Sequence, residues 1–127
     1  MHYVLLAKIQ NAQAARKRTM RVPYSSMDFD VAKILVERKF LGDVRKKTYE
    51  KKNFLELDLA SGGESRGGIQ GFKILSKPSR RVYISYRALK PVRQGYGVGV
   101  ISTTGGIMTT TEAKRSKVGG EYLFQVW

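Results

Sequence analysis

The sequence predicts an α+β protein of two small subdomains: an N-terminal α/β unit with two helices on a small sheet, and a C-terminal, mainly β unit with one short helix. Three observations lead there. Apolar residues recur at helical spacing in two early segments, period-two alternation takes over from Asp43, and a glycine-rich run at 61–68 is followed by a change of composition near Phe72. The expected subdomains are 1–71 and 72–127. At 127 residues the chain is long enough to bury a real core.

The elements follow in order. "AKIQNAQAARKR" has helix-forming composition, with Val4, Leu5, Ala7, Ile9, Ala12 and Ala15 loosely spaced around a helix. "RTMRVPY" alternates basic and apolar residues as a strand does, and Pro23 marks its end or an edge. "SSMDFDVAKILVERKFLG" opens with Ser25 and Asp28 at capping-box spacing, puts Met27, Val31, Ile34 and Leu35 on one face, and has Gly42 as its stop. "DVRKKTYEKKNFLELDLA" reads as a hairpin turning at Glu50 to Asn53. Leu55, Leu57 and Leu59 point inward, and Glu56 and Asp58 point outward, where they could face the lysines of the preceding strand. "SGGESRGG" reads as a loop, and "GFKILSKPSRRVYISY" as two strands joined by a turn at Lys77 to Ser79. "RRVYISY", "YGVGVIS" and "EYLFQVW" are the strands of the second half, with a short helix between the last two. Gly97 and Gly99 share one strand face, which invites close approach by a backbone or a ligand.

Charge narrows the partners. The formal net charge is +14, distributed as +5 over residues 1–24, +1 over 25–71 and +8 over 72–127. Such a chain repels itself, and a polyanion relieves the repulsion, so nucleic acid is favoured. An anionic membrane surface usually takes a basic amphipathic helix or a lipid anchor, and neither is evident. No apolar run reaches the roughly 18 residues of a membrane span, so the chain reads as soluble and intracellular. With no cysteine and one histidine, His2, nucleophile-and-base pairs and most transition-metal sites lack their residues. The carboxylates sit mostly in the near-neutral middle, in positions of a solvated face. "GYGVG" fails the dinucleotide fingerprint in spacing and context, and "GGIMTTT" lacks a Walker lysine. No enzyme, cofactor or metal site is expected.

The closing stretch "STTGGIMTTTEAKRSKVGGEYLFQVW" carries the candidate site. A strand through Ile101 would deliver Ser102, Thr103 and Thr104 to its end as consecutive hydroxyls, each able to donate and accept. Gly105 and Gly106 would turn the chain with bare backbone N–H groups exposed. Thr109 and Glu112 have capping-box spacing for a short helix, and Gly119 is placed to end it in a left-handed conformation. Lys114, Arg115, Lys117, Arg80, Arg81, Arg87, Lys90 and Arg93 supply counter-charge. Taken singly, these hydroxyls and glycines are also what ordinary turns and caps use. Tyr86 alternates with Val82 and Ile84, so pattern alone favours the core over a stacking role.

That stretch, together with "QNAQAARKRTMRVPYS", "FDVAKILVE", "KPSRRVYISY" and "LKPVRQGYGVGVIS", resembles the bacterial type of ribosomal small-subunit protein eight. The resemblance covers nearly the whole chain from about Asn11. It implies a primary RNA-binding protein of the small ribosomal subunit, ribosome-associated, contacting the central domain of the small-subunit ribosomal RNA and neighbouring small-subunit ribosomal proteins. It also implies repression of translation through the messenger of its own operon. The family's RNA-contacting Ser-Thr-Ser falls on Ser102, Thr103 and Thr104, its next glycine on Gly106, and its Gly-Gly-Glu on Gly119, Gly120 and Glu121. Its base-contacting position falls on Tyr86, which reverses the core preference. Gly105 stands where the family has lysine, Thr104 where it has serine and Thr110 where it has aspartate. The family's Asp-Pro-Ile-Ala-Asp opening is replaced by "MHYVLLA", so the contacts of the family's first helix are not carried over.

Overall fold

The computed structural model describes residues 2–59, 69–95 and 97–127. The loop expected at 61–68 lies outside the described residues. The chain divides into two compact units, Met1–Ile69 and Gln70–Trp127.

In the first unit, helix α1 (His2–Ala14) buries Leu5, Leu6, Ile9 and Ala12, so the helix begins earlier and ends sooner than its composition suggested. Strand β1 (Thr19–Pro23) leads to helix α2 (Ser26–Glu37), whose first turn is capped by the Ser25 hydroxyl accepting the Asp28 N–H at 3.4 Å. Strands β2 (Asp43–Tyr49) and β3 (Lys52–Asp58) form the hairpin, and β3 lies between β1 and β2 in an antiparallel sheet. Leu55, Leu57 and Leu59 are buried as alternation required, the first two without any exposure. Each such burial stabilises by about 1.5–3 kcal/mol. The two-residue turn uses Glu50 and Lys51, both at positive φ (47° and 66°), the primed geometry that matches strand twist.

Helix α2 does not run to Gly42. Lys39 takes the left-handed position (φ 66°), and Phe40 N–H closes on the Leu35 carbonyl at 2.8 Å. Gly42 instead donates to the Asp58 carbonyl and starts the β2–β3 ladder.

The second unit is an antiparallel sheet. Strands β4 (Phe72–Ile74), β5 (Tyr83–Ile84), β6 (Val98–Thr103), β7 (Gly106–Thr109) and β8 (Gly120–Val126) are joined by two 3-10 turns, Tyr86–Ala88 and Val92–Gly95, and by helix α3 (Thr110–Arg115). The strand order is β4-β8-β6-β7, with β5 also on β8. The two strands of "GFKILSKPSRRVYISY" therefore do not pair with each other; each pairs with β8, and the Lys77–Arg80 turn lies between them. Gly99 is filled from within the protein, since a Cβ there would lie 2.5 Å from the Tyr122 hydroxyl and 2.8 Å from Thr110, so no ligand enters on that face.

Candidate nucleic-acid interface

The hydroxyl segment forms a hairpin. Strand β6 continues through Thr103, and β7, which the sequence reading took as part of the loop, returns from Gly106 so that only Thr104 and Gly105 form the turn. Thr103 fastens it: its hydroxyl accepts the Gly105 N–H at 3.1 Å and donates to the Gly106 carbonyl at 2.9 Å. Gly106 sits at φ 110°, a conformation closed to other residues without strain. Among the described residues, the Ser102 and Thr104 hydroxyls have no hydrogen-bond partner, and Thr104 is exposed. The three hydroxyls thus divide into one that shapes the turn and two that are free to act outward.

The glycine pair at 119–120 explains how distant segments meet. A Cβ on Gly119 would lie 2.6 Å from the Ile84 carbonyl, and one on Gly120 would lie 2.1 Å from the Ser102 carbonyl. Only bare backbone fits between the end of β5 and the end of β6. Gly119 is not the left-handed residue after α3. Lys117 is (φ 57°), with Val118 N–H on the Ala113 carbonyl at 2.9 Å.

Register then sorts the side chains. Tyr83, Glu121, Ser102 and Ile107 are successive partners across β5, β8, β6 and β7, one rung on one face of the sheet. Ile101, its neighbour Met108 and Tyr122 belong to the other face, where Leu89 and Ala113 complete a small buried cluster. Burial raises the Tyr122 hydroxyl's pKa, and the hydrogen bond from Gln125 partly offsets it.

Tyr86 is half-buried against that cluster, with the Arg87 guanidinium 5.7 Å from its ring centroid. The packing of the ring thus follows the strand pattern. Tyr83 is 70% exposed on the hydroxyl face. The 81–86 segment alternates exposed and half-buried residues, so placing Val82, Ile84 and Tyr86 inward already implied Arg81 and Tyr83 outward.

Glu121 is occupied within the protein. Its carboxylate accepts the hydroxyl of buried Ser76 and pairs with Arg81 at 3.2 Å, while Ser76 Oγ accepts the Val82 N–H at 3.2 Å. Ser76 and Arg81 are the residues that sequence reading missed as its supports. Lys114 Nζ donates to the Leu89 carbonyl at 3.0 Å, which ties α3 to the loop after β5. Arg80, Arg87 and Arg115 are exposed and make no ion pair among the described residues. Glu112, the unit's other carboxylate, serves the cap: Thr109 Oγ1 accepts its N–H at 3.2 Å. The described residues contain no cluster able to hold a metal ion, and none of their helices is long and apolar enough to cross a membrane.

The second unit thus offers free neutral hydroxyls on its hairpin and exposed arginines elsewhere on its surface. That combination suits a polyanion with hydroxyls and base edges within reach.

Comparison with known proteins places this surface in context. The family model described as "Ribosomal protein S8" matches residues 4–127. The chain is similar to "Small ribosomal subunit protein uS8" of Trichormus variabilis, 40% identical over 124 residues, covering 97% of this chain and 93% of that protein. It is 37% identical over 123 residues to the protein of the same name from Thermoanaerobacter pseudethanolicus, with 97% and 93% covered. It is 35% identical over 126 residues to "Small ribosomal subunit protein uS8c" of Lotus japonicus, with 97% and 94% covered.

Proposed function

The chain belongs to the ribosomal protein S8 family, a family of structural ribosomal proteins rather than enzymes, and from that premise we propose that its hydroxyl hairpin is the RNA-reading surface of a primary small-subunit binding protein. The target is the central domain of the small-subunit ribosomal RNA, where binding helps order assembly beside neighbouring small-subunit proteins. The observation that carries this reading is the pair of free hydroxyls, Ser102 and Thr104, on a hairpin held by Thr103 and by the close approach of Gly120.

Ser102 and Thr104 supply donors and acceptors to 2′-hydroxyls and base edges of a distorted helix. Gly105 and Gly106 keep the turn low enough for RNA to approach the main chain. Arg80, Arg87 and Arg115 neutralise phosphates and set the salt dependence, with Lys114 holding the helix in place beside them. Because the surface reads shape and hydroxyl positions, a hairpin of the same form in the operon's own messenger would occupy it too, and repression of translation follows from that competition.

Footprinting of the purified chain on its own small-subunit RNA tests the reading. Protection confined to one irregular helix of the central domain, lost with Ser102→Ala and Thr104→Val, is the expected result. Equal loss of binding to an unrelated duplex RNA would overturn the assignment.

A further inference from the structure

The first unit carries a second surface that the hydroxyl hairpin does not involve. The outer face of its sheet, opposite the buried leucines, presents Arg21, Pro23, Phe54, Glu56, Arg45, Lys47, Tyr49 and Lys52 in register. Arg21 lies 4.5 Å above the Tyr49 ring and 6.0 Å from Phe54, and the two rings are 6.4 Å apart. Tyr49 is 41% exposed. Both of Arg21's ring contacts therefore lie on this outer face.

The charges on this face are sorted. Arg45 holds both Asp43 and Glu56 at 2.8 Å, and Lys47 adds a looser contact to Glu56 at 3.9 Å. Arg21 and Lys52 make no ion pair among the described residues. Asp43, held by Arg45, and Asp58 face each other at the far end beside Thr19, away from the rings. The ring end is therefore net positive.

Its geometry favours an unpaired nucleic-acid strand. Phe54 is opposite Lys47, and Tyr49 is opposite Lys52, so two successive outward rungs each hold one ring and one lysine. Outward positions repeat about every 7 Å along a strand, a spacing that successive nucleotides of an extended single strand can follow. Aromatic rings accept any base by stacking, and flanking cations hold the backbone.

We propose that the outer face of the β1–β3–β2 sheet is a second nucleic-acid surface, which binds a short unpaired RNA segment by stacking its bases on Tyr49 and Phe54 and holding its phosphates with Arg21, Lys47 and Lys52. The surface would capture a short single-stranded element of RNA. It stands on its own observations and does not rest on the hairpin's role.

The test is fluorescence anisotropy of the full chain with a labelled oligouridylate of about ten nucleotides, which has no helix for the hairpin to recognise. Tyr49→Ser should weaken binding about fivefold or more, and Tyr49→Phe should bind as the parent does. Lys47→Gln should reduce the slope of log affinity against log salt by about 0.7. Ser102→Ala should leave oligouridylate binding unchanged while weakening binding to the structured ribosomal RNA, so the two readings fail separately. Melting curves of the Tyr49 variants matching the parent exclude a folding effect. The proposal is overturned if Tyr49→Ser and Lys47→Gln bind oligouridylate normally, or if Ser102→Ala abolishes that binding.

Discussion

Ser102 and Glu121 are direct partners across the β6–β8 ladder, so the free hydroxyl of the hairpin adjoins a carboxylate whose oxygens already serve Ser76 and Arg81. The consequence is structural. Ser76 is 2% exposed, and Glu121→Ala leaves its hydroxyl without an acceptor. A hydrogen bond to a charged group contributes about 1.5–3 kcal/mol, so a loss of that order is expected in urea unfolding. Glu121→Gln retains an acceptor and should lose clearly less. Equal losses for both variants would mean that the carboxylate packs rather than bonds.

Ser102, Thr103 and Thr104 should separate by experiment although they are consecutive. Ser102→Ala and Thr104→Val each remove an outward hydroxyl and should weaken specific RNA binding by about 1 kcal/mol with little change in melting temperature. Thr103→Val removes both hydrogen bonds that close the turn, so it should lower stability by about 1–2 kcal/mol as well as weaken binding. Calorimetric melting beside filter binding checks both. A Thr103→Val protein that melts like the parent would contradict the division of roles.

Much of the fold was legible because its signals are local. Ser25 and Thr109 cap their helices as their spacing required, and the buried Leu55, Leu57 and Leu59 follow strict alternation. What could not be read depended on contacts distant in the chain. The left-handed residues after the helices are Arg16, Lys39 and Lys117; Gly119, expected in that role, is needed instead where its backbone meets the Ile84 carbonyl. The pairing of β4 and β5 with β8, and the existence of β7, are decided by register across 35 or more intervening residues for the first two and by a two-residue turn without a hairpin motif for the third. Of the candidate site, the hydroxyls and Tyr86 were visible in sequence, whereas Ser76, Arg81 and Tyr83 join it only through β8.

Gly105 marks a departure that can be reversed. A Cβ there would meet only ordinary contacts, 3.7 Å to Met108 and to the Thr103 hydroxyl, and the residue lacks the positive φ of Gly106. Gly105→Lys should therefore fold normally and bring one more cation to the turn. RNA affinity should rise at low salt, with the salt slope steepening by about 0.7–0.9. Gly106→Lys, forced into strain at φ 110°, should instead destabilise the hairpin. Similar behaviour of the two variants would count against the turn geometry.

Tyr83 and Tyr86 should differ in what they cost. Tyr86→Leu removes a ring that packs on Leu89, Ile101, Ala113 and Tyr122, so stability should fall by about 1 kcal/mol or more. Tyr83→Leu removes a ring that is mostly in solvent and shares a rung with Ser102, so RNA affinity should fall while melting is nearly unchanged. Urea titration and filter binding of the two proteins give the comparison. If Tyr83→Leu binds normally, the ring plays no part beside the hydroxyls.

Glu56 gives the first unit a pH dependence whose sign is determined by its neighbours. The hydrogen bond from Arg45 is the largest influence holding its carboxyl below the ordinary range; partial burial opposes it, and Lys47, Arg45 and Arg21 add their charges. A carboxyl whose folded pKa lies below its unfolded value stabilises the fold fully above the unfolded value, and that contribution disappears as pH falls through the folded one. The unfolded value is about 4.3. Parent and Glu56→Gln should therefore differ in urea midpoint at pH 7, keep that difference down to about pH 5, and converge as the acid range is entered. Because Arg45 and Lys47 are themselves partly in solvent, about 1 M salt should shrink the difference at neutral pH. A difference that persists unchanged at pH 3 would assign the effect of the substitution to packing in the sheet rather than to charge.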